Sequence, residues 1–172
     1  MEAALQEREI DLAITPLESR LPPRFRCLRL VRLPLVLLVP KALKIKSAAE
    51  LWPDGAVPHP LISLPATETL SRVFRKGLQR LKVDWPVSME ASSLDLITRY
   101  VANDYGIGVS VNAGDIVRHP RVRVIELPEF ERIEITAFWN GTPTLILRDV
   151  LTATQRYATT LWPDWCCDDE LK

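Results

Sequence analysis

The sequence predicts an α/β protein of β-α-β units with mostly parallel sheets covered by helices. Three observations predict it. Short apolar runs bounded by proline or glycine recur at residues 10–15, 35–39, 61–64 and 107–111. Between them lie segments with apolar side chains at helical spacing, most clearly Leu70, Val73, Phe74, Leu78 and Leu81. Strands that alternate with helices in this way form parallel sheets. Finally, 47% hydrophobic and 26% charged residues over a length of 172 describe a globular chain able to bury a core, as one domain or two small lobes.

The elements follow in order. Residues 2–9 favour helix, and Ile10 to Thr15 read as a strand with Ile10, Leu12 and Ile14 on one side, stopped by Pro16. A short helix without a clear start, then a strand, is the pattern of a chain entering mid-fold; an ordinary N-terminal helix gives the same signal. Arg24 to Pro40 is strand-like, first alternating with Phe25 and Cys27 inward, then solidly apolar over Leu35 to Val39 as in a strand buried on both faces. Ser47 and Glu50 have capping-box spacing for a short helix. After the strand at Leu61–Leu64, Thr67 or Thr69 is expected to cap the helix of residues 70–81. Val87–Glu90 reads as a strand. Ser92 or Ser93 caps the next helix, with Ser92 and Asp95 at capping-box spacing and Gly106 expected at its left-handed end. Residues 107–111, 121–127 and 133–139 are strands. Thr142-Pro143 is expected to open a last helix with Leu147, Val150, Leu151, Tyr157 or Ala158, and Leu161 as its apolar stripe. A polar tail follows from Asp164.

Charge and cysteines narrow the function. Lysine and arginine total 22, aspartate and glutamate 22, so the net charge is zero. A chain that grips nucleic acid by itself carries a basic excess to neutralise phosphates, which argues against DNA binding by these residues alone. Cys27, Cys166 and Cys167 are odd in number and irregular in spacing, as expected of reduced thiols in the cytoplasm. Residues 1–9 hold four charged side chains and no apolar core of a signal peptide. The most apolar stretch, Leu28 to Val39, is broken by Arg29, Arg32 and Pro34, too short a run to cross a bilayer.

No catalytic constellation emerges. Gly106-x-Gly108 lies between helix and strand, the wrong order for a dinucleotide fingerprint. Ser110 lacks the closing glycine of a nucleophile elbow. His59 and His119 precede prolines in loops with no partner at metal-ligand spacing. The acidic tail of Asp168, Asp169 and Glu170 reads as a solvated cluster. Neither metal nor cofactor is expected. What remains is hydroxyls at element ends: Thr15, Ser63, Thr67 and Ser92. Each, alone, is simply read as capping its own helix. Together they outline a small-molecule cleft, because helix starts offer N–H groups to anions and ligands of open sheets settle at the carboxyl ends of strands.

The order of the segments resembles the effector-binding (substrate-binding) domain of LysR-type transcriptional regulators. Glu9-Ile10-Asp11-Leu12-Ala13-Ile14, Leu35-Val36-Leu37-Leu38-Val39-Pro40, Ala48-Ala49-Glu50-Leu51, Pro60-Leu61-Ile62 and Ser92-Ser93-Leu94-Asp95-Leu96-Ile97 through Gly106-Ile107-Gly108-Val109 are similar to its successive segments, across nearly all the chain. The resemblance implies a type II periplasmic-binding-protein-like fold of two α/β lobes. Lobe I would comprise 1–40 and 131–172 and lobe II 41–130, with crossovers near Val39–Lys41 and Phe130–Ile135. It implies a small, anionic effector between the lobes, Thr15 or Pro16 lining one side and Ser63, Thr67 and Ser92, with Ser93 beside it, the other. It implies a cytoplasmic regulator domain and not an enzyme; a solute-binding protein or an enzyme domain of the same fold is the alternative. The family's helix-turn-helix, linker helix and first strand-helix-strand have no counterpart here. The first lobe is therefore expected to be incomplete, with an open edge beside Ile10–Thr15 and a possible homo-oligomer, and DNA to be reached only through the missing domain.

Overall fold

The chain runs α1 (Glu2–Gln6), β1 (Ala13–Pro16), β2 (Phe25–Leu33), β3 (Leu35–Pro40), β4 (Leu61–Ser63), α2 (Thr69–Leu81), β5 (Val87–Glu90), α3 (Leu94–Ala102), β6 (Ile107–Val111), β7 (Val122–Glu126), β8 (Ile133–Asn140) and α4 (Leu145–Leu161). The structure is a computed structural model that describes residues 2–17, 23–114 and 118–167. The acidic cluster at 168–170 lies outside the described residues. Two units emerge, residues 1–33 with 134–172 and residues 34–133. The sequence drew the first boundary at residue 40; the structure draws it ahead of β3, because Leu35–Pro40 pairs on one side with β6 and on the other with β7.

In the first unit, β8 is the middle strand of a sheet ordered β1-β8-β2. β1 runs antiparallel to β8, with Ala13 opposite Phe138 and Thr15 opposite Thr136. Leu5 of α1 closes over Ala13, Phe25 and Phe138, and the two phenyl rings meet edge to face at 6.0 Å. That contact turns Ala13 inward and leaves Ile14 48% exposed. The side that carries Ile10, Leu12 and Ile14 is thus the outer one, since neighbouring strand residues point to opposite faces. Cys27 is likewise exposed, not inward; in β2 the buried side shifts to Leu28, Leu30 and then Val31 and Leu33. Among the described residues β1 pairs only with β8, so it stands at an edge, where Pro16 need donate nothing.

The last helix starts later than Thr142-Pro143 indicated. Thr144 is the N-cap, its Oγ1 accepting from Leu147 N–H at 3.2 Å. Of the expected stripe only Leu151 and Ala158 are buried; Val150, Tyr157 and Leu161 are exposed. Among the described residues no disulfide joins the three cysteines.

In the second unit the sheet order is β5-β4-β6-β3-β7. β4 is parallel to β5 and β6, whereas β3 is antiparallel to β6 and β7. The sheet is mixed, not mostly parallel. Only β4, β5 and β6 are joined through helices, α2 and α3, and parallel neighbours need such crossovers. β3 is buried at every position, as its unbroken apolar run requires. Ile97, Val101 and Ala102 of α3 pack with Val36, Leu38, Ile62 and Val122. α2 buries Leu70, Val73, Phe74 and Leu78, and an aromatic group of Trp52, Phe74, Trp85 and Phe130 gathers beside it. α3 ends through Asp104, whose φ of 63° is left-handed, and not through Gly106. Gly106 serves another need: at φ 156° a Cβ there would lie 2.4 Å from the Pro60 carbonyl oxygen.

Candidate functional site

The carboxyl ends of β4 and β5 bring four of the predicted site residues into one neighbourhood. Ser63 ends β4 opposite Glu90, which ends β5, and Ala91 N–H donates to the Ser63 carbonyl at 2.9 Å. Chain direction then places Thr67 in the turn leading to α2, and Ser92 and Ser93 in the turn leading to α3. Two helix starts therefore stand at adjacent strand ends, where partial positive charge gathers.

The hydroxyls play unequal parts. Ser63 is buried and its Oγ lies 2.9 Å from Ser71 Oγ. Ser71 donates to the Leu64 carbonyl at 2.8 Å, so the proton between the two serines comes from Ser63. Ser63 is thereby left an acceptor, unsuited to an anion, and it faces a groove of about 360 Å³ shared with Ser71, Arg75 and Trp85. Ser71 was missed in the sequence because it falls within the apolar stripe of α2; a serine inside such a stripe is the available signal.

Thr67 and Ser92 are exposed. The N-cap of α2 is Glu68, whose side chain makes no cap bond, so neither Thr67 nor Thr69 caps that helix. The Arg72 guanidinium reaches back to the Thr67 carbonyl and to Thr69 Oγ1. Ser93, not Ser92, caps α3: its Oγ accepts from Leu96 N–H at 3.2 Å, which leaves its own proton to donate elsewhere. The Ser92–Asp95 spacing is not used; Asp95 instead pairs with Arg99 at 2.8 Å.

Thr15 and Pro16 belong to the first unit. Thr15 is directly opposite Thr136, so both side chains lie on the same face of that sheet. Thr136 is fully buried and its Oγ1 has no hydrogen-bond partner. Such an orphaned hydroxyl, with no surface of its own exposed, costs roughly 1–3 kcal/mol of stability. It was missed because a threonine at an inner position of a strand gives no sequence signal beyond β propensity.

The residues set aside in the sequence find local partners. Ser110 is buried within β6, its Oγ 3.4 Å from the Val111 carbonyl. His119 Nδ1 accepts from Arg121 N–H at 3.2 Å, and the His59 carbonyl accepts from Trp85 Nε1 at 2.7 Å. Among the described residues no three histidine, cysteine or acidic side chains converge as a metal site, and no helix is long and apolar enough to cross a membrane.

Comparison with known proteins defines the class. The LysR substrate binding domain family matches residues 1–144, and the chain belongs to that family. This is a family of transcription-regulator ligand-binding domains. Among solved structures, the chain is similar to HinK, a LysR family transcriptional regulator from Pseudomonas aeruginosa, with a TM-score of 0.74 and 16% identity over 91% of this chain and 55% of that one. It is similar to the Synechocystis CcmR regulatory domain in complex with 2-PG, with a TM-score of 0.74 and 15% identity over 93% of this chain and 79% of that one. It is also similar to the effector-binding domain of QuiR in complex with shikimate, with a TM-score of 0.72 and 17% identity over 92% of this chain and 77% of that one. The chain thus spans a little over half of the full regulators. No curated protein matches it significantly in sequence. The fold is the type II periplasmic-binding-protein-like fold of this family.

Proposed function

We propose that this chain senses a small anionic metabolite and, within a LysR-type regulator of the cytoplasm, passes that signal to a helix-turn-helix that reads DNA. The units 1–33 with 134–172 and 34–133 are the two lobes of the effector-binding domain. The observation that carries the reading is the pairing of β4 and β5 ends with the starts of α2 and α3. α2 begins without a side-chain cap from Glu68, so its first N–H groups can meet an anion. Thr67, Ser92 and Ser93 supply hydroxyl donors from the second unit. The binding of shikimate by the QuiR domain and of 2-PG by the CcmR domain supports this ligand class. No residue is assigned a catalytic role. With no net charge, the chain leaves DNA contact to the reading domain.

Thermal unfolding with shikimate and a panel of small carboxylates and phosphate esters tests the proposal. A fitting ligand at about 100 times its Kd adds about 2.7 kcal/mol and raises Tm by several degrees. Thr67→Val and Ser92→Ala are expected to remove that rise while leaving the ligand-free Tm near its starting value. A panel in which no anion raises Tm, or in which neutral analogues do so equally, overturns it.

A further inference from the structure

A second cavity lies entirely within the 34–133 unit, away from the ends of β4 and β5. It is a half-open pocket of about 420 Å³ between the short turn Ala48–Glu50 and the segment that runs from β7 to Phe130. That volume suits a small organic molecule. Trp52, Leu127 and Phe130 form apolar walls, and Glu126, Glu129 and Lys46 stand at its polar positions.

The aromatic wall is held in place. Phe130 stacks on Phe74 with centroids 5.3 Å apart and planes 19° from parallel. It also presses on the backbone of Gly77, where any Cβ would meet the ring at 2.2 Å. Arg80 Nη2 donates to the Glu129 carbonyl at 2.7 Å, fixing the same segment to α2. Trp52 completes the wall, tilted 51° to Phe130 with centroids 6.5 Å apart. A preformed aromatic wall asks little ordering of a ligand. Its faces favour a cation; among the lining residues Glu126 and Glu129 outnumber Lys46, and the neighbouring Arg80 is paired with Glu131 at 3.5 Å.

We propose that this cavity is a second ligand site, which takes a small aromatic amine with its ring against Trp52 and Phe130 and its ammonium toward Glu126 and Glu129. Because Phe130 lies just ahead of β8, the occupant would bear on the segment by which the chain leaves this unit. The site is independent of the proposed anion site in residues, charge and ligand.

Calorimetric titration of the whole 172-residue chain tests it, with 2-phenylethylamine, 2-phenylethanol and phenylacetate as probes. The amine is expected to bind about tenfold more tightly than phenylacetate, with the alcohol between them. Ala49→Trp, which plugs the cavity from an exposed position, is expected to weaken the amine at least about tenfold. Should that variant misfold, Glu126→Gln with Glu129→Gln is expected to bring the amine to the affinity of the alcohol. Thr67→Val with Ser92→Ala is expected to leave amine binding intact, whether or not the anion site exists. The proposal is overturned if the amine does not bind at millimolar concentration, binds no better than phenylacetate, ignores both cavity variants, or is lost with Thr67 and Ser92.

Discussion

At the scale of single residues, backbone geometry and orphaned polar atoms matter most. Gly106 combines a φ of 156° with a carbonyl oxygen 2.4 Å from where a Cβ would stand, and the Ile107 N–H holds that same oxygen at 2.9 Å. Gly106→Ala is therefore expected to lower the free energy of unfolding by at least about 2 kcal/mol, read from urea denaturation; a change within experimental error would show that the α3–β6 turn yields readily. Thr136 presents the opposite case. Its hydroxyl is buried without a partner, so Thr136→Val removes a desolvation cost and keeps the shape. Stability is expected to rise by about 1 kcal/mol, read from urea denaturation. Loss of stability in that variant would mean that the hydroxyl is satisfied, for instance by an ordered water.

At the scale of elements, the caps separate structure from binding. Ser93 and Ser92 are neighbours of the same type, but only Ser93 accepts an N–H of α3. Ser93→Ala is expected to cost about 1 kcal/mol of stability, and Ser92→Ala less than about 0.5 kcal/mol. If chemical denaturation ranks them the other way, the assignment of the α3 cap to Ser93 fails. The helices were legible as periodic stripes, yet their starts were less so. Thr67 or Thr69 for α2 and Thr142-Pro143 for α4 were reasonable caps, but Glu68 and Thr144 hold those places. Several hydroxyls within two or three residues satisfy the same local rule, and which one turns toward the helix depends on how the preceding chain arrives.

At the scale of the whole molecule, the first unit has an open side. Among the described residues β1 is an edge strand, with Ile14 exposed, and Leu145, Ile146, Val150, Tyr157 and Leu161 are exposed on α4. Unpaired backbone together with apolar surface invites association. The purified chain is expected to self-associate as concentration rises, in sedimentation velocity, and Ile14→Lys to suppress it. A wild-type chain that stays monomeric at high concentration would show that the edge is protected.

The sequence alone determined the alternation of strand and helix, the fully buried β3 and the apolar stripes of α2 and α3, because each rests on the spacing of apolar residues along the chain; the family followed from the resemblance of its successive segments. Tertiary structure alone decided which face of β1 turned inward, since Leu5 and Phe25 reach Ala13 only after folding. It alone made the second sheet mixed, because strand direction depends on where non-consecutive strands meet. It alone gathered Ser63, Thr67, Ser92 and Ser93 at adjacent strand ends, set Thr136 opposite Thr15, and formed the Trp52–Phe130 cavity, for contacts between distant residues leave no periodic trace in the order of the amino acids.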